Sequence, residues 1–225
     1  MLSSCGVTDS VTDPSRVETG PISIANLVAW AYQVSPKEVD GPGWMRDAWF
    51  EVVATFPNGA GGKAPEMLRH LLADRFKLVA HVDKRTESVF ALTAPNGDGK
   101  LTRTADETTE SACKPKGITD GDFRKRDGAR ECLNVSMQQL AELLPSSIAP
   151  YDVDRLVLDR TALSGGYDFI IRWTPAIIRD RVPADVTPGD SMPEALKKLG
   201  LQLESQKAEV SVVVVDSVEK EPTGN

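Results

Sequence analysis

The chain has 225 residues, of which 40% are hydrophobic and 26% are charged, and its formal net charge is -7. This composition is typical of a globular protein, and the length suits one large domain or two small ones. Nucleic-acid binding is disfavoured, because an acidic surface repels phosphate groups. A transmembrane span is also disfavoured, because the longest apolar run, residues 212–215, is far shorter than the roughly 20 residues that cross a bilayer.

The chain opens with a polar segment, and regular structure is predicted after it. Residues 1–20 are rich in Ser, Thr, Asp and Val, and we expect them to form a flexible leader or tether. Ser23 is suited to cap the first helix. The apolar residues of that helix recur at helical spacing, at Ile24, Leu27, Val28 and Ala31. An apolar strand is predicted at residues 48–56, and Pro57 ends it.

A second helix and a hairpin are predicted next. Pro65 suits the first turn of the helix, whose apolar side carries Met67, Leu68, Leu71 and Leu72. Residues 76–80 alternate between apolar and polar types, as in a half-buried strand. Residues 84–86 are expected to turn the chain, so that residues 89–93 return as the partner strand. A polar connector then covers residues 96–132.

Similar elements follow in the same order after the connector. Ser136 is suited to cap a helix, and strands are predicted at residues 157–158 and 167–173. A further helix at residues 192–199 is expected to end at Gly200.

The chain is predicted to close with a hairpin that pairs residues 201–203 with residues 210–215. The fold class is therefore α+β, with small helices packed on mixed or antiparallel sheets. Residues 21–95 and 133–220 are interpreted as two related helix-strand-helix-hairpin halves that arose by internal duplication. Residues 221–225 form a tail.

The three cysteines indicate an oxidising compartment outside the cytoplasm. Residues 2–6 resemble a bacterial lipobox, in which Cys5 is the lipid attachment site. That motif needs an upstream signal region, so either the true start lies upstream or the match is accidental. Cys113 and Cys132 lie in the connector, where a disulfide between them would contribute about 3 kcal/mol. The alternative is a pair of free cytosolic thiols.

Several sequence strings resemble a known family. They are LVAWAYQV at residues 27–34, MLRHLLADRFKLVAH at 67–81, LDRTALSGGYDF at 158–169 and VVVDSVE at 213–219. Together they are similar to an uncharacterised family of exported proteins that is expanded in soil Acidobacteria of the Solibacter type. The resemblance covers residues 22–220. Members usually have an extra strand before the first helix, so either this chain lacks it or Val17 belongs to a remnant of it.

Each half also remotely resembles the short N-terminal domain of secretins and TonB-dependent receptors. Residues 135–215 fit that module best. The resemblance implies a domain that binds other proteins in the periplasm and has no catalytic activity.

Patterns that would indicate catalysis are weak. The Gly-rich residues 58–63 lack the glycine and hydroxyl positions of a phosphate-binding loop, so a turn is favoured. The two histidines, His70 and His81, have no metal-ligand spacing, and we expect no metal or other cofactor. Asp74 follows His70 at the next helical turn. These three residues are the catalytic candidates if the chain is a hydrolase.

One tryptophan is the first candidate for contact with a partner. Trp44 follows a Gly-Pro-Gly turn and is expected to be more exposed than Trp30, Trp49 and Trp173, although packing within a loop is the alternative. Our leading hypothesis is an extracytoplasmic protein-interaction or sensory module, periplasmic or lipid-anchored, with a protein partner at the cell envelope. The alternative is a small hydrolase of ester, lactone or peptide bonds, with a His-centred or weak metal site expected in the cleft between the two halves.

Overall fold

The computed structural model describes residues 16–55, 63–118, 127–179 and 181–224. Two compact units are present. The first contains Met1–Glu87 and Ala208–Asn225, and the second contains Ser88–Lys207. Helices and strands occur in both units, with mixed and antiparallel strand pairs, which confirms the α+β class.

The described part of the chain contains five α-helices, which are α1 Ile24–Tyr32, α2 Ala64–Phe76, α3 Met137–Leu143, α4 Ala176–Arg179 and α5 Met192–Lys198. The strands of its first half are β1 Arg16–Glu18, β2 Ile22–Ser23, β3 Val39–Asp40, β4 Trp49–Phe50, β5 Val53–Thr55 and β6 Val79–Thr93. The remaining strands are β7 Thr102–Arg103, β8 Ala112–Pro115, β9 Gly128–Val135, β10 Val157–Asp159, β11 Tyr167–Trp173 and β12 Gln202–Ser217.

Serine caps begin three of the helices, as the sequence predicts for the first two. The Ser23 hydroxyl accepts a hydrogen bond from the Asn26 N–H, and the Ser136 hydroxyl accepts one from Gln139. Ser191 caps α5 in the same way, through the Glu194 N–H. Gly200 lies just beyond α5 with φ 84, a left-handed conformation that glycine adopts without strain.

Both predicted hairpins are wrong, because β6 and β12 are each continuous. Residues 84–86 lie within β6 and do not turn, and residues 204–209 similarly continue β12. The two strands are neighbours in one sheet, of order β10-β6-β12-β3. The polar side chains in the middle of each strand are mostly exposed to solvent. An extended strand therefore places no polar group in the core at these positions, and no turn is needed to keep them in water.

The predicted strand at residues 48–56 is two short strands in different sheets. Strand β4 pairs with β2, and β5 pairs with β1, in both cases antiparallel. Strand β1 contains Val17, so an extended segment does precede the first helix. The first unit packs the buried side of α1 against α2, with Leu27 and Leu72 both fully buried.

The second unit is built on a four-stranded sheet of order β7-β11-β9-β8. Strands β7 and β8 and the start of β9 come from the segment predicted to be a polar connector, which is therefore partly sheet. The core of this unit contains the fully buried Tyr167, Leu140 and Leu196.

Candidate interaction site

The free edge of β6 is the most distinctive surface of the first unit. Strand β10 pairs with β6 only at Phe90–Leu92. This part of β6 belongs to the second unit. Along residues 79–87, β6 borders β12 on one side, and no strand of the described chain borders the other. Val79 and Val82 are 56% and 59% exposed there. An edge of this length is a template for pairing with another strand.

The backbone groups that point to this free edge are those of the even-numbered residues. The Phe90 N–H donates to the Leu156 carbonyl over 2.8 Å, and the Leu92 carbonyl accepts from the Arg160 N–H over 2.9 Å. Residues 90 and 92 of β6 therefore turn toward the side on which β10 lies. Because these groups alternate along a strand, Val82, Lys84 and Thr86 present theirs to the same side, where the described part of the first unit has no partner strand. The Lys84 N–H on this side donates to the Asp83 carboxylate over 2.8 Å.

The odd-numbered residues of this edge place charges of both signs on one face. Arg85 is bonded to two carboxylates, with Nη1 2.5 Å from Asp40 and Nε 3.0 Å from Asp83. The Asp40 bond, followed by the Asp83 bond, raises the pKa of the Arg85 guanidinium. The Arg85 hydrogen bond and the Lys84 N–H together lower the pKa of the Asp83 carboxyl. Both groups are therefore charged at neutral pH.

The other two members of the odd-numbered face are His81 and Glu87. The His81 ring nitrogen Nδ1 lies 2.9 Å from the Asp216 carboxylate, and the side chains of both residues are about half exposed. On the opposite face of the strand, the Lys84 ammonium lies 3.4 Å from the Glu209 carboxylate.

The three catalytic candidates from the sequence are not brought together. His81 lies on β6, whereas His70 and Asp74 are exposed on α2. No hydrogen bond or ion pair joins any two of the three, and no hydroxyl or thiol of the described residues is bonded to His81. Within the same described ranges, no group of three or more His, Cys, Asp or Glu side chains is placed to hold a metal ion.

Trp44 is less exposed than the sequence suggests. It is half-buried and packs against the core of the first unit, as the packing alternative expects. Trp49 is instead the exposed tryptophan, at 58%, because β4 has only two residues and its outer face has no covering element among the described residues. Trp173 is buried, as expected. A role for Trp44 in binding stays a prediction.

The second unit carries the predicted cysteine pair. Cys113 and Cys132 are bonded to each other and lie directly opposite in the register of β8 and β9. They therefore lie in strands and not in the predicted loop. Cys5, the predicted lipid attachment site, lies outside the described residues.

A shallow groove of about 220 Å³ lies on the same part of the second unit. Its lining comes from the segment before β8 and from β8 and β9, namely Thr109, Glu110, Ala112, Lys114, Glu131 and Leu133. Sites for small molecules are usually larger, at about 300–1,000 Å³. The groove also has no histidine, cysteine or serine in its lining, so it offers no nucleophile or base of the kinds that the sequence singled out.

Comparison with known proteins identifies the family. The family described as "Protein of unknown function (DUF3738)" matches residues 25–218, which is most of the chain. The chain belongs to the DUF3738 family. No curated protein matches this DUF3738 chain, and no solved structure does so either. Among the described residues of this family member, no helix has the length and apolar character needed to cross a membrane.

Proposed function

We propose that this DUF3738 protein is an extracytoplasmic protein-interaction module, without catalytic activity, that binds an extended protein segment along the free edge of β6. The observation that carries the proposal is the unpaired side of residues 79–87, where the described chain places no strand. An added strand would gain backbone hydrogen bonds at Val82 and Thr86 and at the Lys84 carbonyl, whereas the Lys84 N–H already donates to the Asp83 carboxylate over 2.8 Å. Its side chains would meet the exposed Val79 and Val82.

The extracytoplasmic location is supported by the disulfide. Structural disulfides persist in oxidising compartments and are rare in the cytosol. The Cys113–Cys132 bond joins adjacent strands of the sheet in the second unit. We propose that Cys5 anchors the protein to a membrane through a lipid. We also propose that the two halves are related to the short N-terminal domain of secretins, which binds proteins in the periplasm.

Proline substitution tests the proposed edge. A displayed library of random ten-residue peptides is selected against the purified chain, and the affinity of the recovered peptides is compared among wild type, Val82→Pro and Val82→Ala. We expect Val82→Pro to weaken binding roughly tenfold or more, because it removes an edge N–H and obstructs the incoming strand. Val82→Ala is the matched control, since it keeps that N–H. Equal affinity for the proline variant, or recovery of no peptide at a chain concentration where the chain is monomeric, would refute the proposal.

A hydrolase is the second candidate, because His81 and Asp216 form the His–carboxylate contact found in many general bases. This function predicts turnover of an ester, lactone or peptide substrate that His81→Ala abolishes. His70→Ala is the matched control, since His70 is exposed on α2. A screen of chromogenic esters, lactones and peptides with no turnover above the His81→Ala background would eliminate this candidate.

A further inference from the structure

We infer that the segment which occupies the free edge of β6 is the β6 of a second copy of this chain, antiparallel and centred on Lys84. This inference rests on the proposed function, since it names the partner of the same edge. It follows from the order of charges along residues 81–87 and from the direction of the backbone groups there. A pair of this kind has two-fold symmetry, so every contact occurs twice.

The symmetry limits the possible registers. The hydrogen-bonding groups on the free edge belong to even-numbered residues, so an even-numbered residue must face an even-numbered one of the second copy. Odd-numbered residues then also lie opposite odd-numbered residues of the second copy. Their side chains are on the side of the sheet that carries His81, Asp83, Arg85 and Glu87. The possible two-fold centres near the middle of the edge are Val82, Asp83, Lys84 and Arg85.

Charge selects one of these centres. A centre on Asp83 places two aspartates opposite each other and His81 opposite Arg85. A centre on Arg85 places two arginines opposite each other and Asp83 opposite Glu87. Two facing aspartates, two facing arginines, and an aspartate that faces a glutamate are like-charge pairs, which are unfavourable. Both registers are therefore disfavoured.

In the register centred on Lys84, each odd-numbered pair from residue 81 to residue 87 joins groups that are oppositely charged or can hydrogen-bond. Asp83 faces Arg85 of the second copy, and His81 faces Glu87, with each pair formed twice. A centre on Val82 gives only the His81–Asp83 pairs and leaves Arg85 opposite Val79. The register centred on Lys84 therefore has the most complementary charges.

The geometry of an antiparallel ladder strengthens these pairs. The odd-numbered residues occupy the pairs without backbone hydrogen bonds, in which facing side chains are closest. Arg85 already uses two N–H groups, on Asp40 and Asp83, and a guanidinium has five. Three N–H groups are therefore left for a carboxylate of the second copy, while the Asp40 bond holds one end of the guanidinium toward β3, beyond β12. In the pair, the Lys84 N–H exchanges its bond with Asp83 for the Lys84 carbonyl of the second copy. Lys84 faces Lys84, and the Glu209 carboxylate 3.4 Å away offsets part of that repulsion.

Charge reversal provides the test, with the mass of the full chain in solution measured by sedimentation velocity. The wild type is expected to be a concentration-dependent dimer. Asp83→Arg and Arg85→Asp each create two like-charge pairs, so each is expected to weaken the dimer roughly tenfold or more. An equimolar mixture of the two variants is expected to form a heterodimer, because one copy then has arginine at both positions and the other has aspartate at both. The double variant Asp83→Arg/Arg85→Asp is expected to dimerise alone, because each arginine again faces an aspartate of the second copy.

The outcomes separate this inference from the proposed function. A wild type that is monomeric up to its solubility limit would overturn the inference. A dimer that neither single variant weakens would also overturn it, because its contact would lie elsewhere. So would single variants that remain monomeric when mixed, provided that circular dichroism shows both to be folded. In each case, peptide binding that Val82→Pro abolishes would leave the proposed function intact.

Discussion

Cys113 and Cys132 face each other directly across β8 and β9, and a disulfide bond joins them. Strand β8 has only four residues and lies at the edge of its sheet, where β9 is the one strand of the described chain that pairs with it. Residues 119–126, which lie between the two strands along the chain, are outside the described residues. The bond therefore holds the short edge strand to the sheet independently of that connection.

Loss of this disulfide is expected to lower the free energy of unfolding by about 3 kcal/mol, because the bond restricts the unfolded chain. The prediction applies both to the double variant Cys113→Ala/Cys132→Ala and to the wild type treated with a dithiol. The free energy of unfolding of each protein is measured by urea unfolding. Cys5→Ala is the control and is expected to unfold like the wild type. A double variant as stable as the oxidised wild type would contradict this prediction.

A methyl group at Gly166 is expected to destabilise the second unit. A Cβ there would collide with the Asn134 side chain and lie 3.1 Å from its backbone carbon. Asn134 cannot easily move, because its N–H donates to Asp168 over 2.8 Å and its side-chain amide donates to the Thr109 carbonyl over 2.6 Å. Overpacking of this kind costs about 1–3 kcal/mol.

The comparison for Gly166→Ala is Gly43→Ala, since a Cβ at Gly43 has no heavy atom within 4 Å. Thermal unfolding of both variants measures the difference. We expect Gly43→Ala to match the wild type or to exceed it slightly, because alanine reduces the freedom of the unfolded chain. Equal stability of the two variants would contradict this prediction, because it would show that the Asn134 side chain moves to accommodate the added methyl group without cost.

Acid sensitivity is expected to depend in part on Glu194, the third residue of the α5 capping box. The Ser191 hydroxyl and then the Ser191 N–H donate to its carboxylate and lower the pKa of Glu194. A carboxyl whose pKa is lowered by folding stabilises the protein above its unfolded pKa, and this contribution is lost as the pH falls through the folded pKa. Glu194→Gln is therefore expected to lose less stability than the wild type between neutral pH and about pH 3.

Urea unfolding at both pH values tests the role of Glu194, with Glu142→Gln as the control. Glu142 is a surface residue of α3 that is not part of that helix's capping box. If Glu194→Gln and Glu142→Gln change the pH dependence equally, the capping contact of Glu194 is not its source.

Local features of this fold could be predicted from the sequence, and long-range ones could not. Ser23 and Ser136 mark helix starts because a cap depends on only the next few residues. The hairpin predicted at residues 84–86 failed because a charged run looks the same in a turn and in an exposed strand. The partner that keeps β6 extended there is β12, which lies more than a hundred residues away.

The same limit applies to the site. His81 could be selected as a residue of interest, but its contact with Asp216 depends on the pairing of two distant strands. The free edge arises because β10 has only three residues and pairs only at Phe90–Leu92. Nothing in the sequence of residues 79–87 reveals where a neighbouring strand ends. The alternation of Asp83, Arg85 and Glu87 is visible in the sequence, but its meaning depends on the strand being continuous.

The assignment of backbone direction in β6 can be tested by two adjacent prolines. Val82→Pro removes an N–H that points to the free edge, so we expect the free energy of unfolding to change little. Asp83→Pro removes an N–H that points to β12 and leaves a ladder carbonyl without its donor, which costs about 1–3 kcal/mol. Asp83→Asn shows what loss of the Asp83 charge costs by itself. Urea unfolding of the three variants is the measurement. If Val82→Pro is the more destabilising proline, the even-numbered residues face β12, and the register centred on Lys84 loses its hydrogen bonds.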